Sequence, residues 1–590
     1  MSWRSSFAAF LILLGTWSLQ ALEIIDPSEL KVGEEGVFVT EIDGGRLLSS
    51  PVRVLGVLGA PLPGGDLVLI RLLSPRFEKS GVAAGMSGSP VYVRGRLVGA
   101  LAFAWPFASA PIAGVTPFAA MEGDLPSQTS SLQGGGTLPD GSDLAAAIRD
   151  QRIIPLAEDL LQAERAEGPM PLPFSLGAGG MLSSFRPEGW LGKLFQEMGW
   201  VLAPGGAGAD GGVSPQKDIR PGSMIAAVLV GGDAHLAAGG TVTEIRGDRV
   251  WAFGHPFLGV GSLKMPMAGA SVVTILPSLA GSFKFFNTAS EIGTFLSDRR
   301  HGIWGRLGQK ASMIPLHMEY GDEVFDFGVL DHRVLTPLLA AYLVQGIQTV
   351  RGVSLVPQSI GVSVAVDFED GRKLQLDQVF EGGDAPAQAA AWTGALVGYL
   401  RQSSFAAPKM KQISCVLKTV EGLQRRQILD VTPSATLLAP GEEFHLNVRM
   451  LAPDGSVETQ LIEMKTPLER VSGPLQLVVA DGASWAAYDI KSRPGLVQSF
   501  SSRLELLRRL RSTRMIVAVF EGAGRSLVTE SGSVALPAGV LMNLRSARRA
   551  QMKTVGWRLL QKVETPVDFP VLGAIRISLR VEAPGFEKGE

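Results

Sequence analysis

The chain has 590 residues, of which 46% are hydrophobic and 19% charged, and its formal net charge is −2. That length suits three or more domains, and that balance excludes a chain disordered throughout. A net charge so close to zero supplies no global attraction to nucleic acid or anionic lipid, so no nucleic-acid partner is expected.

At the start, Arg4 precedes the short apolar run FAAFLILL (Phe7–Leu14), and small and polar residues follow to Ala21. This is the pattern of an export signal, residues 1–21, cleaved after Ala21. An uncleaved anchor or a buried first helix would carry the same run, and Leu19 is a large residue for its place before the cleavage point. Later apolar runs are broken by glycine, proline or charge well before the ~20 residues a membrane span needs. The only cysteine is Cys415. An internal disulfide, a cysteine-based zinc site and a lipid-modified N-terminal cysteine are therefore not expected. The expected location is extracytoplasmic, periplasmic or secreted, after removal of the signal.

The 71 glycines and 37 prolines suit short strands and many turns. Residues 22–125 hold the strand-like runs GVFVTEI, PVRVLGVL, DLVLIRLL, PVYVRG and RLVGALAFAW. Residues 126–172 read as a polar, glycine-rich linker with a helical segment from Ser142 or Asp143 toward Glu167, interrupted at Pro155. A second β-rich block, 173–350, contains GTVTEI, DRVWAFGHPF, ASVVTILPS and GSFKFF. Residues 351–408 connect onward through a helix over 384–399, with Asp384 as its cap. Alternation returns from Lys409 in ISCVLKTV, EFHLNVRML and SVETQLIEM, so residues 409–590 read as a β-sandwich or α+β accessory region. Near its end, SSRLELLRRLRS sets Arg503, Arg508, Arg509 and Arg511 around a leucine face. That is a solvated surface helix or a weak membrane contact. No internal repeat is legible.

Two short segments carry candidate chemistry. Gly85-Met86-Ser87-Gly88-Ser89-Pro90 (GMSGSP) is a tight turn that can present a hydroxyl and converge the backbone N–H groups of Gly85 and Ser87. Serine needs a base within hydrogen-bond reach and donors for the developing oxyanion. The G-x-S-G-x-P order selects Ser87 over Ser89, and it is not the G-x-S-x-G elbow of α/β-hydrolases. Taken alone, such a turn equally serves a purely structural role. Of six histidines, His255 in AFGHPF lies between glycine and proline at the end of a strand-like run, where a base is readily presented. His235 and His301 read as surface residues in loops, and the histidines show no metal-ligand spacing, so no metal or cofactor is expected.

GMSGSPVYVRGRLVGALAFAW, AGGTVTEIRGDRVWAFGHPF and SDRRHGIWGRLG together resemble the SpoIVB-type serine peptidase family across roughly residues 25–345. The resemblance implies a mainly β fold with two trypsin-like β-barrel lobes, Ser87 as nucleophile and His255 as general base. Ser87 here precedes His255 by 168 positions, so the lobe order is permuted relative to the sporulation protease, whose histidine comes first. The family's acid lies just upstream of its serine, where this chain has Leu72-Leu73-Ser74-Pro75. Asp66 is the nearest upstream aspartate and the candidate acid, with Asp248 and Asp298 as further candidates, and all three also suit turn or ion-pair roles. The implied function is an exported serine endopeptidase acting on protein or peptide substrates of the cell envelope. The alternative is a non-catalytic envelope scaffold built on the same fold.

Overall fold

The computed structural model describes residues 23–581, except 63–64, 106–107, 124–142, 145, 148–149, 151, 163–173, 183–184, 205–218, 279–280, 351–356, 402–406, 469–474, 492–498, 529–532, 536–538 and 541–553. The export-signal reading, and most of the linker reading, therefore lie outside the described residues. The chain is mainly β, with 29 strands among the described residues.

Strands β1 (Glu35–Asp43), β2 (Arg46–Leu62), β3 (Gly65–Leu72), β4 (Pro90–Val93), β5 (Arg96–Ala104) and β6 (Ile112–Pro117) form a closed barrel in the order β1-β2-β3-β6-β5-β4. Every neighbouring pair is antiparallel. Alternation along β3 and β4 turns Val68, Ile70, Val91 and Val93 into one core with Phe38 and Phe77.

The second block begins with β7 (Phe174–Gly180) and β8 (Trp200–Pro204), a parallel pair. Then come β9 (Met224–Gly232), β10 (Ala234–Arg246), β11 (Arg249–Ala252), β12 (Gly261–Leu276), β13 (Phe283–Arg299) and β14 (Gly302–Leu307). These six also close on themselves through antiparallel pairs, in the order β9-β10-β11-β14-β13-β12. Counted from its first strand, each ring has the same order. This duplication left no repeat in the sequence, because a barrel constrains inward-facing apolarity and turn positions rather than residue identity.

Strands β15 (Met313–Tyr320), β16 (Glu323–Leu330), β17 (Gln358–Phe368), β18 (Lys373–Gly382) and β19 (Met410–Glu421) extend the second ring into a 13-stranded sheet through β16 and β9. ISCVLKTV thus belongs to this sheet as β19, between β17 and β15, and not to the C-terminal region with which its alternation grouped it. Period-2 alternation marks a strand but not its neighbours. Two buried helices, Leu335–Val350 and Ala385–Arg401, pack against each other and against this sheet. Asp384 immediately precedes the latter, and its carboxylate accepts from the Gln388 side chain. The helical segment is interrupted just ahead of Pro155: residues 143–144 and 146–147 are helical, whereas 150 and 152 are not. A second helix, Ile153–Gln162, carries Pro155 in its first turn, where no intrahelical N–H is required.

The C-terminal region has two sheets, one centred on Glu443–Leu451 and the other on Leu475–Asp481. They share a core that includes Leu446, Val448, Leu477, Val479 and Phe520. Its arginine-rich stretch forms only the short helix Phe500–Leu507, and its arginines are engaged within the protein. Arg503 is buried, donates to the Tyr399 carbonyl and lies over that ring; Arg509 pairs with Asp489 and Arg511 with Glu564.

Candidate active site

The site lies where the two rings meet. GMSGSP connects the third and fourth strands of the first ring, and His255 follows the third strand of the second ring, so equivalent connections face each other. A small interface cluster of Leu97, Ala100, Phe118, Met121 and Trp251 packs between the rings, with Phe118 and Trp251 edge-to-face at 5.6 Å.

Each ring holds the other's connection. From β10, Thr241 N–H donates to the Ser87 carbonyl (2.8 Å), Thr241 Oγ1 to the Gly85 carbonyl (2.9 Å) and Thr243 Oγ1 to the Gly88 carbonyl (2.8 Å). From β6, Thr116 Oγ1 donates to the Gly254 carbonyl (2.6 Å). Glycine at 88 is a steric requirement. Its φ is +96°, and a Cβ there would lie 2.0 Å from the Thr241 carbonyl oxygen and 2.5 Å from the Phe253 nitrogen. On the opposing side Phe253 itself has φ +70°, rare for an aromatic residue, and Gly254 N–H reaches back to the Ala252 carbonyl at 2.9 Å. An i→i+2 bond about a positive-φ residue is the strained γ-turn, here placed directly before His255.

This arrangement brings Ser87 Oγ to 2.9 Å from His255 Nε2, across 168 positions of sequence. His255 Nδ1 lies 2.9 Å from the carbonyl oxygen of Pro256. With Nδ1–H donating to that carbonyl, Nε2 carries the lone pair that faces the serine hydroxyl. Both side chains are buried: Ser87 is 1% and His255 0% exposed. Burial pushes the imidazole down to about 4, against the opposing effect of the Pro256 carbonyl. His255 is therefore neutral at pH 7. The half-buried Phe103 ring stands beside it, with centroids 6.4 Å apart.

The remaining candidates occupy different places. In the serine turn, Met86 N–H donates to the Ala83 carbonyl, Gly88 N–H to Leu101 and Ser89 N–H to Met86. The N–H groups of Gly85 and Ser87 have no acceptor among the described residues. Asp66 is exposed at the start of β3, beside the β2–β3 hairpin. Asp248 lies in the β10–β11 turn and pairs with Arg306 at 3.4 Å. Asp298 is fully buried at the end of β13, and its carboxylate accepts from the N–H groups of Phe257 (2.8 Å), Leu258 (2.7 Å) and Gly259 (2.9 Å). It braces the loop that leaves His255; burial raises its pKa to about 6, against the pull of those donors. His235 is not in a loop but on β10, half-buried, and burial lowers it to about 4. His301 lies in the turn between β13 and β14.

Sequence reasoning missed the buried group beneath the serine turn. Thr40 and Glu41 on β1, Ser89, and Lys284 on β13 are all fully buried. Lys284 Nζ donates to Thr40 Oγ1 at 2.9 Å, while Glu41 accepts from Met224 N–H (3.0 Å) and Val272 N–H (2.8 Å). The one available signal was a charged residue inside the apolar run FKFF. Among the described residues no three His, Cys, Asp or Glu side chains converge as a metal site.

No family model, curated protein or solved structure matches the chain.

Proposed function

We propose that the chain is an exported serine endopeptidase that acts on extracytoplasmic proteins through a Ser87–His255 acyl-enzyme mechanism. The observation that carries this reading is the 2.9 Å contact between Ser87 Oγ and His255 Nε2. The unengaged N–H groups of Gly85 and Ser87, in the same turn, support it as oxyanion donors.

In this reading neutral His255 takes the Ser87 proton at Nε2 as Oγ attacks a peptide carbonyl. The oxyanion is held by Gly85 and Ser87 N–H, and the imidazolium returns its proton to the leaving amine. Water, deprotonated by His255, then releases the acyl group. The Pro256 carbonyl orients Nδ1–H, and Asp298 acts one step removed, by holding the backbone that follows. A carbonyl dipole stabilises imidazolium less than a carboxylate does, so turnover is expected to be slow.

The scaffold is read as trypsin-like with its lobes in permuted order. The identical strand order of the two rings supports this, because both functional connections join third to fourth strands. Exchanging serine and histidine between equivalent connections preserves their meeting geometry.

An active-site-directed fluorophosphonate tests the proposal. The expected result is covalent labelling of the wild type that is lost in Ser87→Ala and His255→Ala, with both variants folded by circular dichroism. The second reading, a non-catalytic envelope scaffold, is favoured by one observation, the near-complete burial of both side chains. A wild type that resists labelling, or labelling unchanged in Ser87→Ala, decides for the scaffold.

A further inference from the structure

The two N–H groups assigned to the oxyanion belong to the peptides Ala84–Gly85 and Met86–Ser87, and both peptides are held from behind by one residue. Lys284 N–H donates to the Ala84 carbonyl at 3.0 Å. All peptide bonds here are trans, so anchoring that carbonyl directs the Gly85 N–H of the same planar unit to the opposite side. The other peptide is reached through side chains. Lys284 Nζ lies 2.9 Å from Thr40 Oγ1, Thr40 Oγ1 lies 2.9 Å from Ser89 Oγ, and Ser89 Oγ lies 2.7 Å from the Met86 carbonyl.

Proton counting gives this chain one direction. An ammonium can only donate and a carbonyl can only accept. Lys284 therefore donates to Thr40, Thr40 to Ser89, and Ser89 to the Met86 carbonyl, whose peptide carries the Ser87 N–H. Successive bonds in a buried chain polarise one another, and the last bond makes that N–H a stronger donor. The lysine stem packs directly on Gly85: a Cβ at that position would lie 3.3 Å from both Cβ and Cδ of Lys284.

We propose that Lys284 is a positioning residue for the oxyanion site, orienting Gly85 N–H through its backbone and Ser87 N–H through a directional Lys284–Thr40–Ser89 relay. The inference rests on the peptidase reading above. The charged group acting on the ammonium is Glu41, which lies on β1 beside the neutral Thr40, and Ser89, from the serine turn, is neutral. Burial lowers the lysine to about 7, against the opposing effect of Glu41. Its charge, and with it the polarisation of the relay, declines as pH rises through that region.

The test uses the full chain and the rate constant of fluorophosphonate labelling, a reaction that develops negative charge on the phosphonyl oxygen. Lys284→Met keeps the backbone N–H and the stem but removes the ammonium. It is expected to slow labelling by roughly tenfold or more, the rate equivalent of one lost charge-assisted bond. Thr40→Val breaks the same relay and is expected to do likewise, with the double variant no slower than either single one. The wild-type rate should also fall between about pH 6 and 8, and Lys284→Met should lose that alkaline limb while keeping the acid limb of His255. A folded Lys284→Met with wild-type rate and pH profile overturns the proposal and leaves the peptidase reading intact. Should Lys284→Met not fold, additive effects of Thr40→Val and Ser89→Ala, or a wild type without the alkaline limb, overturn it instead. A wild type that does not label at all overturns both readings.

Discussion

Replacing Gly88 by alanine tests whether the serine turn is seated by the opposing ring. At φ +96° the added Cβ meets the Thr241 carbonyl oxygen at 2.0 Å and the Phe253 nitrogen at 2.5 Å, both backbone atoms. Strand β10 cannot retreat, because it is paired with β9, β11 and β7. The turn must therefore lift. Left-handed backbone costs an alanine about 1–2 kcal/mol, and overpacking a tight site adds about 1–3 kcal/mol. Lifting also stretches the bonds from Thr241 N–H to Ser87 and from Thr243 Oγ1 to Gly88, each worth about 1 kcal/mol. The expected loss is about 4–7 kcal/mol, together with separation of Ser87 from His255. Urea unfolding followed by circular dichroism measures the first, and fluorophosphonate labelling measures the second. A Gly88→Ala variant within about 1 kcal/mol of wild type that labels at the wild-type rate would refute the interlocked-ring account.

Two further outcomes follow from the burial of the site. His255 has its pKa lowered to about 4 in the folded chain against 6.5 unfolded, so between those values only the unfolded chain takes up the proton. Acidification through that window costs about 3 kcal/mol from this group, and His255→Gln should lose stability less steeply than wild type over the same range in urea titrations. Equal slopes would show that the imidazole is not held neutral. Phe103 stands beside the imidazole while Ser87 is 1% exposed, so Phe103→Ala should open the approach and raise the labelling rate several-fold. An unchanged or lower rate would place the barrier to access elsewhere.

Local chemistry made much of this protein readable from its sequence. The glycines and hydroxyls of GMSGSP identify a turn, and AFGHPF identifies a histidine between residues that end a strand. Apolar runs bounded by turn residues mark most strands of both rings, although β5, β6, β9 and β10 are buried almost continuously and do not follow a period of 2. Lys284 and Asp298 were not readable as members of the site. In a strand-like run such as FKFF, a lysine reads as a solvent-facing interruption, and Asp298 read as a turn or ion-pair residue. Their roles arise from partners 244 and about 40 positions away.

By itself, then, the sequence determined a mainly β chain, the serine turn, and the histidine most worth pairing with it. Only the tertiary structure decided that two rings share one strand order, that β19 joins the large sheet, and that a carbonyl rather than Asp66 lies against Nδ1 of His255. The physical reason is one of range. Turn and strand preferences are set within a few residues, whereas burial and hydrogen-bond partnership are set by elements that meet only when the barrels close.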